Sequence, residues 1–186
     1  MITIEESGMT FTFPEGDCFH IEKDEALKPH VKPCEFIARI SHRSTDLLYF
    51  VEAKSSAPKE CICDRSKLTY DGMPIEPSWT VHTNFDNFVN DICRKFEDSF
   101  ALFHAICSGY HGNEAKKRIP AGFVAYNNTS FRFILIINGF KDEWFPPLND
   151  ALKQRMRHFL NAWNISDICM KTLNAEGASA LGIPVV

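Results

Sequence analysis

The chain has 186 residues, 45% hydrophobic and 24% charged, which suits one domain over residues 1–186 and excludes disorder and collagen-like repeats. Twenty basic residues against 24 acidic ones give a net charge of −4, which argues against a nucleic-acid coat protein but allows an enzyme with a local basic patch. Seven cysteines, an odd number with no secretory signature around them, read as reduced thiols.

Met9 to Phe13 alternates apolar and polar before Pro14 and Gly16, the pattern of a strand and a turn. Phe19 to Leu27 fits either a strand end or a short helix, and Pro29 and Pro33 bracket a loop. Cys34–Ser41 and Leu47–Lys54 read as two strands of a hairpin joined by the polar stretch His42 to Asp46. Ser55 to Trp79 carries little pattern and is long for a structureless loop, so a short element is expected inside it. Thr83-x-x-Asp86 resembles a capping box, and Phe85, Phe88, Val89, Ile92, Phe96, Phe103 and Ile106 recur at helical spacing before Gly109.

Ser130 to Asn138 is almost continuously apolar, as a central strand covered on both faces would be. Its apolar core, Phe133 to Ile137, is far shorter than the about 20 residues that cross a bilayer. With no basic start or apolar core of a signal peptide at Met1 to Glu6, the expectation is a cytoplasmic protein without membrane contact. Pro146-Pro147 opens a helix through Leu148, Leu152, Met156, Phe159 and Trp163. Ile168–Leu173 reads as the next strand, and Asn174–Leu181 as a capped short helix ended by Gly182. The order predicts an α/β domain: a mixed central sheet with a β-hairpin, flanking helices and parallel final strands.

The hairpin holds the residues with chemistry. Glu52 and Lys54 are two apart on one strand, so they project from the same face as Leu48 and Phe50. Glu35 lies on the preceding strand and can reach them across the ladder. Two carboxylates on neighbouring strands can share a divalent cation, because Mg²⁺ prefers oxygen ligands. A lysine beside them can orient a water or stabilise charge developing on a phosphate. A plain cross-strand ion pair, worth at most about 1 kcal/mol when exposed, also accounts for Glu-x-Lys at a strand end.

Pro33-Cys34-Glu35 followed by Glu52-Ala53-Lys54 on a strand resembles the acid…(D/E)-x-K signature of the PD-(D/E)XK superfamily of restriction-endonuclease-like nucleases. The stretch is also similar to small bacterial proteins with the same hairpin. The likeness spans about residues 31–58, and Glu35 stands where the family usually has Asp. The resemblance implies a restriction-endonuclease-like fold and a Mg²⁺- or Mn²⁺-dependent phosphodiesterase acting on nucleic acid. By position, Glu35 and Glu52 would be metal ligands and Lys54 the catalytic lysine. Glu22, or else Glu25, would be the acid that the family often adds upstream. The competing expectation is a catalytically inactive relative that serves as an interaction or binding protein.

Other motifs carry less. Cys61-x-Cys63 with Cys93 or Cys107 and a histidine could bind zinc, but C-x-C lacks the usual two-residue gap. Cys107, near His104 and His111, could be a nucleophile, yet it ends an apolar helix face where an inert packed thiol is the rule. Lys116-Lys117-Arg118 in an expected loop, and Arg155 and Arg157 beside Met156, read as solvated charge.

Overall fold

The computed structural model describes residues 1–23, 31–42, 45–58, 69–70, 73–74, 84–123 and 129–186. Strand β1 (Ile2–Glu6) pairs antiparallel with β2 (Met9–Phe13), and the ladder runs up to Glu6 opposite Met9. Ser7 and Gly8 make the two-residue connection, both with positive φ (54° and 76°), as a tight hairpin that matches strand twist requires. β1 was not expected from sequence: Ile-Thr-Ile-Glu-Glu is short, and its apolar positions run out after Ile4.

The central sheet has five strands. Its order is β3 (Cys18–Phe19), β4 (Phe36–His42), β5 (Thr45–Lys54), β8 (Thr129–Ile137) and β9 (Met170–Leu173). β3, β4 and β5 are antiparallel neighbours, whereas β5, β8 and β9 are parallel. The sheet is therefore mixed, as expected. The expected hairpin is present and tighter than the sequence implied, because the ladder extends to His42 opposite Thr45. The pattern-poor segment contributes two very short paired strands, β6 (Thr69–Tyr70) and β7 (Met73–Pro74).

Helix α1 (Asn84–Cys107) lies between β5 and β8 in the chain, and α3 (Phe145–Ala162) between β8 and β9, so each is a crossover between parallel strands. The proposed cap residue Thr83 falls outside the described residues. The prolines sit in the first turn of α3, where a missing N–H costs nothing. Where a loop was expected, Gly112–Arg118 is a short helix, α2, and Lys117 pairs with Glu114 at 2.7 Å on its exposed side. A single 3-10 turn, Asp167–Cys169, precedes β9, which begins later than expected. Asn174 caps α4 (Ala175–Ala180) by accepting from the Gly177 N–H at 2.7 Å.

Alternation along β5 sends Leu48 and Phe50 to the helical side and Tyr49, Val51 and Ala53 to the other. The helical side is an aromatic core in which Phe100 of α1 meets Phe50, Phe131, Phe133 and Phe159. The opposite side is covered by β1, β2, α4 and the chain end, where Phe11 and Phe13 pack edge-on against Phe36. The sheet thus lies between two apolar layers. Among the described residues no helix is long and apolar enough to cross a membrane.

Candidate functional site

Glu52 continues the helix-facing row of β5 beyond Phe50 and is fully buried. The β4–β5 register pairs Phe36 with Val51, so Glu35, one residue before β4, stands at the position opposite Glu52. Opposed residues in an antiparallel pair share a face. Both acids therefore point towards α1, and Glu35 is 3% exposed.

Lysines meet them from two directions. Lys54, next on the same row of β5, places Nζ 2.5 Å from Glu52 Oε1 and 3.9 Å from Glu35 Oε1. Lys95, from α1, places its Nζ 2.7 Å from Glu52 Oε1 and 3.7 Å from Glu35 Oε1. Sequence reading missed Lys95. It lies four residues before buried Ser99 on the face of α1 towards the sheet, but nothing in its spacing along the helix points to an acid on β5. Ser99 ties helix to strand, since its Oγ accepts from the Cys34 N–H at 2.6 Å and donates to the Lys95 carbonyl at 2.5 Å. The peptide just before Glu35 is thereby held against α1.

Glu22 sits in the turn after Ile21 and approaches the same cluster. Its backbone N–H donates to the Glu35 carbonyl at 3.4 Å, and a carboxylate oxygen lies 3.8 Å from Lys95 Nζ. Glu25 falls outside the described residues. Glu6, at the end of β1, is a fourth acid that sequence reading did not single out. Carboxylate oxygens of Glu6, Glu22 and Glu35 lie within 4.8 Å of one another.

The environment separates the acids. Burial is the largest cause pushing the Glu35 carboxyl up to about 9, followed by the adjoining Glu22 carboxylate, which favours a shared proton, and by the charge of Glu52. Glu22 is held below its ordinary value, first by that hydrogen bond with Glu35 and then, against some burial, by Lys95 and Lys54. At Lys95 burial works to lower the value, but Glu52 and the other two acids outweigh it and raise it. His20 next door is lowered by burial and by Lys23, against Glu22 and Glu6.

Three of these acids, Glu6, Glu22 and Glu35, lie close enough to share one hard divalent cation. Mg²⁺ and Mn²⁺ select carboxylate oxygen. Glu35 Oε2 and Glu52 Oε2 are buried and accept no hydrogen bond among the described residues. Such oxygens are costly to leave bare, and a metal would satisfy them.

The other candidates separate from this cluster. Cys18, Cys34, Cys93, Cys107 and Cys169 form no disulfide among the described residues, while Cys61 and Cys63 fall outside them. Burial pushes Cys93 up to about 12, and Cys34 is likewise raised, so neither is a ready nucleophile. Arg155 Nε donates to Asn90 at 2.6 Å, which joins α3 to α1. Comparison with known proteins finds no match in any of three forms: no family model, no curated protein and no solved structure.

Proposed function

We propose that the protein is a Mg²⁺- or Mn²⁺-dependent phosphodiesterase acting on nucleic acid, built on a restriction-endonuclease-like version of the mixed α/β sheet. The observation that carries this reading is the meeting of Glu35, Glu52 and Lys54 at one end of the hairpin, with both carboxylates within 4 Å of the same ammonium. Glu35 and Glu52 would hold the cation, with Glu22 beside them. A bound divalent ion supplies Lewis acidity and lowers the pKa of a coordinated water. The chain's own groups do the rest. Lys54 positions its ammonium where charge develops on a phosphate oxygen, and Lys95 holds the Glu52 carboxylate in place by donating to it at 2.7 Å.

The test is cleavage of single- and double-stranded DNA and RNA with Mg²⁺ or Mn²⁺, stopped by EDTA. Lys54→Ala is expected to lose about a hundredfold or more in rate, the scale of removing one preorganised charge-stabilising donor. The near-complete burial of Glu52 and its two lysine partners favours a second reading, in which the cluster is a neutralised structural network of an interaction protein. Absence of metal-dependent cleavage on every substrate, with no uptake of Mn²⁺, would select that second reading.

A further inference from the structure

Beside the acid cluster a cavity of about 360 Å³ opens between the segment before β4, the end of β5 and the first half of α1. Its lining has two characters. Val31, Phe88 and Ile92 make an apolar wall, and Phe88 is only partly buried, so part of its ring remains available. Lys54 and Lys95 line the side shared with the buried glutamates, while Lys32 and Arg94 stand on the solvent side with Asp91. At the mouth Lys32 and Arg94 set two cations against Asp91, while Lys54 and Lys95 are already paired with Glu52 behind the inner wall. Arg94 has an ion pair with Asp98, but at 3.7 Å and with a side chain 78% exposed, that pair holds it weakly.

We propose that this cavity binds a single nucleotide unit, its base against Phe88 and its phosphates on Lys32 and Arg94 at the mouth and towards Lys54 inside. The inference rests on the phosphodiesterase reading and narrows its substrate to single-stranded or frayed nucleic acid. Three observations carry it. The volume is at the small end of the about 300–1,000 Å³ typical of small-ligand sites, room for one base and sugar and not for a duplex. A phosphate-only site would not need an aromatic wall, whereas stacking on an aromatic side chain is how unpaired bases are held. The basic residues are split between mouth and interior, as successive phosphates of one strand require.

Calorimetric titration in EDTA tests this without any cleavage, using adenosine 5′-monophosphate, adenosine, inorganic phosphate, a 5′-phosphorylated tetranucleotide and a short blunt duplex. The monophosphate is expected to bind at least about tenfold more tightly than adenosine or phosphate alone. The tetranucleotide should bind more tightly than the monophosphate if the site serves a strand, and no better if it serves free nucleotides. Phe88→Ala should weaken the monophosphate about fivefold or more and leave phosphate unchanged. Because Phe88 touches the core, Arg94→Glu at an exposed position is the companion variant. It should weaken monophosphate and phosphate alike and flatten the dependence on salt. Equal binding of monophosphate and phosphate, wild-type affinity in both variants, or preference for the duplex would overturn the proposal. Nucleotide binding without metal-dependent cleavage would sink only the catalytic reading, and metal-dependent cleavage without nucleotide binding only this one.

Discussion

Lys95 and Glu52 are 43 residues apart in sequence, yet Lys95 Nζ donates to Glu52 Oε1 at 2.7 Å. The contact crosses from the middle of α1 to the end of β5, the strand at the centre of the sheet. It makes one lysine the hub of three acids, since Glu35 and Glu22 lie 3.7 and 3.8 Å from the same ammonium.

Removing that hub should be costly even though Lys54 remains. Lys95→Met leaves a fully buried carboxylate with one cationic partner in place of two, a loss of about 1–3 kcal/mol. Urea unfolding measures it. In a Glu52→Gln background the same substitution should cost clearly less, because the two groups interact directly. An identical cost in both backgrounds would mean that the Lys95–Glu52 contact contributes nothing.

Ser99 offers a neutral counterpart. Ser99→Ala removes the acceptor of the Cys34 N–H and should destabilise by about 1–3 kcal/mol, the cost of a buried donor left unpaired. Mn²⁺ affinity should fall as well, since the peptide before Glu35 loses its anchor on α1. Ser99→Thr, which keeps the hydroxyl, should recover the affinity if it packs.

Glu35 gives the cluster a pH signature. Its folded value of about 9 lies above the about 4.3 of an unfolded glutamate, so the folded state holds the proton more tightly. The stability from this group is complete below about pH 4.3 and is lost as pH rises towards 9. Glu22, held low, and His20, lowered by burial, act in the opposite sense at more acid pH. Between about pH 7 and about pH 9 the urea midpoint should therefore decline in the wild type. Glu35→Gln should remove most of that slope, and a slope unchanged by Glu35→Gln would show that the carboxyl is already ionised at pH 7.

What the sequence disclosed follows from periodicity and local chemistry. Phe85 to Ile106 marked α1, and Leu148 to Phe159 marked α3, because apolar side chains repeat once per turn on one face. Glu52 and Lys54 were legible as a pair because strand alternation puts them on one face, and Glu35 because an antiparallel hairpin brings its start back to its end. Lys95 was not legible. A lysine on a half-apolar helix stripe looks like one whose stem packs while its head reaches water, and only the sheet behind it shows an acid within reach. Glu6 was hidden for a related reason, since a contact between a terminal hairpin and the turn at Glu22 leaves no spacing to read. Lys116 to Arg118 looked like loop because α2 buries only Ala115, too little to set a period.

The central claim is that Glu35 and Glu52 jointly hold a divalent cation. Calorimetric titration of the metal-free protein with Mn²⁺ tests it most directly, repeated on Glu35→Gln and Glu52→Gln. The account predicts saturable uptake by the wild type and a loss of about tenfold or more in affinity in each variant, because one carboxylate seldom holds a largely hydrated ion. No uptake by the wild type, or uptake unchanged by both substitutions, would contradict it.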